Sequence, residues 1–133
     1  MKNKIILKLN VILVIFIFYN CSLSDKNLKN LIDKNKLKSY VDNFNNDDEE
    51  LYSNICNKDA LNFLQNNIPL FECPDIDIER TYYFRWWTYR KHIKNTEDGY
   101  VITEFLPNVP WSGKHNTISC PAAHHYYEGR WLH

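Results

Sequence analysis

The residues best suited to chemistry lie close to the end of this 133-residue chain. His124, His125 and Glu128 are spaced so that each histidine can share a helix face with the carboxylate, three or four residues on. Such a set can contribute ligands to a zinc site. The order is not His-Glu-x-x-His, however, and no third ligand is indicated, so no metal is assigned. Glu104 and Glu128 are the candidate carboxylate pair, and paired carboxylates are what glycoside hydrolysis requires. Nothing in the spacing fixes their separation. No Gly-x-Ser-x-Gly elbow, phosphate loop or Cys–His pairing signal is present.

The strongest feature is aromatic density mixed with Arg, His and Glu. Sugar rings stack their apolar faces on Trp and Tyr, and their hydroxyls bond to Arg, His and carboxylates. Flat aromatic side chains offer that contact area at low entropic cost. Trp111 lies between Pro107, Pro110 and Gly113, in a stretch that the prolines exclude from regular structure. It reads equally as a binding surface on a loop and as a tryptophan pinning that loop to the core.

The elements that carry these residues occupy one half of the chain. All five His, four Trp, four Arg, three Gly and five Pro fall within residues 68–133. There, Pro74-Asp75 opens a helix that Asp75 is placed to cap and that runs on through Glu79–Ile93, with Asp77 and Glu79 favouring its first turns. Tyr82, Trp86, Tyr89 and Ile93 form one stripe on it, and Tyr83, Trp87 and Arg90 a neighbouring one. A helix aromatic on more than one face is expected to be buried on more than one side. Arg85 and Arg90 then need carboxylate partners. Asp98-Gly99 signals a turn, 100–105 a short extended piece, and Pro121 the start of a last helix.

Residues 22–67 are a different material, rich in Asn and Lys and without Trp, Arg, Gly, Pro or His. Their apolar spacing predicts one amphipathic helix over 26–42 and a second starting near Asp47. The Asp47–Glu50 run suits a solvated helix start, because carboxylates adjacent on one turn point in different directions. Ahead of this, Lys2, Lys4 and Lys8 precede a nine-residue apolar run, Val11–Tyr19. A span needs about 20 residues, so residues 1–20 read as a signal peptide. Cys21 just beyond it is placed for lipidation, although Phe18 and Asn20 depart from the usual lipoprotein processing pattern. Plain secretion or an uncleaved anchor remains open, but each places the chain outside the cytoplasm. Cys56, Cys73 and Cys120 lack Cys-x-x-Cys spacing and read as small buried hydrophobes.

Composition excludes other classes. At 44% hydrophobic and 15% aromatic residues, the chain is not a disordered tail. Lys plus Arg and Asp plus Glu are both 16, which gives no support for a nucleic-acid partner.

Five runs of sequence resemble a known family. They are Ile68–Asp75 with Tyr82–His92, Glu97–Phe105 with Val109–Gly113, and His124–Leu132. Together they are similar to the start of the mannosylglycerate-hydrolase-like six-hairpin glycoside hydrolases. The resemblance covers about residues 68–133. It implies a mainly α fold, a partial (α/α)6 barrel truncated after two or three helical hairpins, and an exported hydrolase working without metal or organic cofactor. It implies a carbohydrate ligand, with Arg85, Trp86, Trp87, Trp111, His124 and His125 as wall residues. The catalytic carboxylates are expected from later hairpins, so a chain of this length is expected to be inactive alone, with Trp131 and the aromatic helix partly bare. The alternatives are a small surface-anchored carbohydrate-binding module and a structural lipoprotein.

Overall fold

A computed structural model of the protein describes residues 33–133. The expected signal peptide over residues 1–20 and the lipidation candidate Cys21 lie outside the described residues. The described part is mainly helical: α1 (Lys34–Asn46), α2 (Asn57–Asn67), α3 (Ile76–His92) and α4 (Ser119–Gly129). A two-stranded antiparallel sheet, β1 (Ile93–Thr96) and β2 (Gly99–Ile102), lies between α3 and α4. None of the described helices is long and apolar enough to cross a membrane.

Helix α3 is the centre of the fold. Asp75 caps it, its carboxylate accepting from the Asp77 and Ile78 amides at 3.0 and 3.3 Å. That satisfies two of the amide groups a helix start leaves unpaired. Tyr83, Trp86, Trp87 and Tyr89 of α3 are buried with Leu37, Tyr40, Val41 and Phe44 of α1 and Ala60 and Leu64 of α2. The apolar stripes of α1 and α2 thus close on an aromatic helix that is covered on more than one side, as its sequence requires. Tyr40 stacks on Tyr83 with centroids 5.6 Å apart, and Phe44 meets the Trp87 ring at 5.8 Å.

Three boundaries differ from the sequence reading, each for a tertiary reason. The first helix runs from Lys34 to Asn46 rather than ending at residue 42, and the expected stretch before residue 33 lies outside the described residues. The second begins at Asn57, not near Asp47. The acidic run is spent on tertiary partners instead: Asp48 pairs with Lys91 at 2.6 Å, and Glu50 accepts the Asn57 amide at 2.5 Å. Glu50 and Tyr52 take left-handed backbone conformations (φ 54° and 63°), which no helix tolerates. Finally, α3 stops at His92 and Ile93 opens a strand, paired with Ile102.

The hairpin turn is the expected one. Thr96 Oγ1 accepts the Asp98 amide and donates to the Gly99 carbonyl. Gly99 sits at φ +104°, where a side chain would be strained. Helix α4 starts at Ser119, so Pro121 lies within its first turn, where a missing N–H leaves no hydrogen bond unmade.

Candidate functional site

The far side of α3 carries a polar cluster built from three elements. Arg85, Tyr89 and His92 come from α3, Thr103 and Glu104 from the segment after β2, and His125 and Glu128 from α4. Arg85 pairs with Glu128, and its guanidinium lies 5.6 Å from the Tyr89 ring centroid. His125 Nε2 meets Glu104 Oε2 at 2.7 Å. His92 Nδ1 lies 2.8 Å from the Thr103 carbonyl, so that nitrogen carries the proton. Burial holds the His92 pKa below the ordinary histidine value, and the positive charge of Arg85 adds to this. The net effect favours the neutral ring. The Tyr89 hydroxyl donates to the His125 carbonyl at 2.7 Å, and burial pushes its pKa up to about 12.

The cluster is half open. The side chains of Glu104, His125 and Glu128 are 29%, 21% and 26% exposed, and that of Arg85 is 47% exposed. Each carboxylate has a donor on one oxygen and free acceptor capacity on the other. Such an edge can bind hydroxyls or hold a proton donor in place. Beside it runs an apolar groove of about 360 Å³ lined by Tyr89, Ile93, Tyr100, Ile102, Tyr126 and Leu132.

The expected site residues divide clearly. Arg85, Glu104, His125 and Glu128 are brought together. Trp111 is 67% exposed on the loop between β2 and α4, its ring edge-on to Phe105 at 4.8 Å. His124 is exposed on α4. Trp86 and Trp87 correct the sequence reading: they are 5% and 4% exposed and belong to the core. The Trp87 indole N–H donates to Asn45 at 2.8 Å, and its ring faces the Arg90 guanidinium at 4.9 Å and the Lys91 ammonium at 5.0 Å. Neither ring has a face to offer a ligand. Arg90 is also a correction, since among the described residues no carboxylate pairs with it. It donates to the Ile55 carbonyl and to Asn57 Oδ1, one bond from each terminal nitrogen, while its Nε–H is buried without a partner. Cys120 is exposed, against the expectation of burial, and Cys56, Cys73 and Cys120 are free thiols.

His92, Tyr89 and Asn116 were missed. His92 carries the one available signal, a titratable residue at the end of an aromatic helix. Asn116 has none, because its role depends on the path of the loop around it. Among the described residues, one trio has metal-ligand types within reach: Glu97, Asp98 and His115. Lys114 already pairs with both carboxylates, lying 3.1 Å from Glu97 and also bonded to Asp98, so the trio reads as an ion-pair network.

Compared with protein families and with curated proteins, the chain matches none. Among solved structures it is similar to a chain named sialidase, with 45% identity and a TM-score of 0.71. The likeness covers 76% of this chain and 9% of the sialidase chain. The chain is thus similar to a small part of a much longer protein named sialidase.

Proposed function

We propose that this chain is the N-terminal portion of an exported glycoside hydrolase, similar to the mannosylglycerate-hydrolase-like six-hairpin group, whose helices begin an (α/α)6 barrel. The observation that carries the glycoside-hydrolase part of this reading is the 45% identity to a solved sialidase chain, a likeness well above one of fold alone. The half-open cluster supports it. Arg85, His125 and the carboxylates Glu104 and Glu128 offer donors and acceptors at one edge, the complement that sugar hydroxyls need. Trp111 supplies an aromatic face, and His124 stands beside the cluster on α4. On this reading Glu104 and Glu128 orient a carbohydrate. The acid and base of the reaction come from elsewhere in the longer enzyme, so the isolated chain binds sugar without hydrolysing it. Cys21 would attach the exported protein to a membrane through lipid.

The test has two arms. The locus is sequenced past the codon for His133, and the full native product is assayed on aryl glycosides, including an aryl sialoside. Further aromatic helices with paired carboxylates, and release of the aryl group, are expected. A product that neither continues in this way nor hydrolyses any glycoside sinks the enzyme reading. Sugar binding by that product then favours a binding module, and no binding a structural lipoprotein.

A further inference from the structure

The loop between β2 and α4 is built around one buried side chain. Asn116 is 6% exposed. Its amide nitrogen lies 2.7 Å from the Pro107 carbonyl, 3.2 Å from the Phe105 carbonyl and 3.3 Å from Asn108 Oδ1. Its amide oxygen accepts the Val109 N–H at 3.3 Å and lies 3.0 Å from the Ser112 hydroxyl. One amide thus gathers the residues on both sides of Trp111. The backbone carbonyl of Asn116 accepts the Glu104 amide at 2.9 Å, which ties the same residue to the polar cluster.

This arrangement is held against backbone strain. His115 and Asn116 are consecutive non-glycine residues in the left-handed region, at φ 62° and 59°. Such conformations persist only where the surroundings over-determine them, and they concentrate at ligand sites. A short 3-10 turn, Lys114–Asn116, is the regular element within the loop, and the loop's base is fixed to the hairpin turn by Lys114 and His115 on Asp98. Yet the residue at its tip, Trp111, is 67% exposed and buries little in return. An ordered loop whose largest apolar side chain faces solvent has met its ordering cost in advance of contact with a ligand.

We infer that Asn116 is a positioning residue: its buried amide fixes the loop so that Trp111 presents a set aromatic face to a sugar ring, in register with Glu104. This rests on the carbohydrate reading above, which supplies the ligand class. The structural contribution, a stiff loop around Asn116, stands on the geometry alone.

Asn116→Gly separates the side chain from the backbone. Glycine accepts the left-handed conformation without strain, so this variant deletes the amide bonds and keeps the allowed backbone. The four tryptophan indole N–H signals are followed by ¹⁵N NMR on the full chain, with Trp111 assigned from Trp111→Phe. In Asn116→Gly the Trp111 signal is expected to shift and broaden while those of Trp86 and Trp87 stay in place, which also shows that the core is intact. Methyl α-mannoside and 3′-sialyllactose are then titrated. In the parent chain one of them should move the Trp111 signal, and Asn116→Gly should weaken that response at least tenfold. An unchanged, sharp Trp111 signal in Asn116→Gly overturns the positioning role. A parent Trp111 signal that answers neither sugar overturns the carbohydrate ligand, while the line shape still reports on the loop. Asn116→Ala, which keeps the strain and loses the bonds, should disturb Trp111 at least as much as glycine does.

Discussion

Helix α3 makes polar contacts on two sides, and the two sides use the same residue types to different ends. Toward α1 and the loop 47–56, Arg90, Lys91 and Asn57 are 0%, 8% and 7% exposed. Asn57 there bonds through its amide N–H, its carbonyl and both side-chain atoms, to Glu50, Asn45, Asp48 and Arg90. Toward α4, Arg85, Glu104, His125 and Glu128 form pairs that water still reaches. The first network is enclosed: Asn57 and Lys91 have fixed partners, while the Arg90 Nε–H is buried without one, and these buried groups hold the fold. The second keeps acceptor capacity open, and that is what a ligand needs. Trp87 and Trp111 repeat the contrast, one ring enclosed by Phe44, Arg90 and Lys91, the other on a loop tip.

The sharpest way to break this comparison is to truncate one arginine on each side. Arg90→Ala removes a fully buried side chain and strands the Ile55 carbonyl and Asn57 Oδ1. A cavity plus unpaired polar groups costs about 3–5 kcal/mol. Arg85→Ala breaks a pair in contact with solvent and should cost under about 1 kcal/mol. Urea unfolding of the two variants measures both. Equal costs would mean that the two networks do the same work.

Gly129→Ala probes the joint between the halves. A Cβ at Gly129 would lie 2.4 Å from the Tyr89 hydroxyl oxygen. Tyr89 is 1% exposed and its hydroxyl is tied to the His125 carbonyl, so it has little room to yield. Overpacking here should cost about 1–3 kcal/mol. None of the residues of α4 is buried, so the damage should stay local. Amide exchange should speed up across 119–129 and leave α1–α3 protected. Uniform loss of protection would show that α4 is as integral as the core helices.

Glu79 adds a pH dependence to the closed side. Burial raises its pKa, but hydrogen bonds from Lys36, the Cys73 amide and Tyr40 outweigh that, and the net shift is below the ordinary 4.5. A carboxylate with a depressed folded pKa contributes stability that is fully present above its unfolded pKa. That contribution is lost as pH falls through the folded value. Glu79→Gln should cost about 1–2 kcal/mol at pH 7. It should also flatten the fall of Tm below about pH 4.5 relative to the parent. Parallel Tm curves across that range would remove Glu79 from the acid response.

The part of this that the sequence made legible follows from local physics. Asp75 capping α3, the turn at Asp98-Gly99, the stripe Leu37-Tyr40-Val41-Phe44 and the many-sided burial of α3 all depend on near neighbours, whose spacing is visible. The failures have the opposite character. Asp48 looks like a helix start until Lys91, far along the chain, claims it. Trp86 and Trp87 look like binding residues because composition cannot say which aromatic ring is enclosed. Asn116 is invisible, since a hub is defined by the carbonyls that surround it. In the candidate site, His124, His125, Glu128 and Glu104 drew notice through residue type. Only the fold pairs Glu104 with His125 and Glu128 with Arg85.

The smallest expected effect is also the most discriminating one for the open side. Glu104 and His125 meet at 2.7 Å, with side chains 29% and 21% exposed. A pair so placed gains little over water, and a double-mutant cycle with Glu104→Gln and His125→Gln should return a coupling under about 1 kcal/mol. At a pH low enough to protonate His125, added salt should reduce it further, because exposed charges are screened. A weak coupling fits an edge whose partners can be exchanged for ligand hydroxyls at little cost to folding. A coupling of several kcal/mol, insensitive to salt, would place this pair with Arg90 and Asn57 as part of the scaffold. The open side of α3 would then lose its standing as a ligand edge.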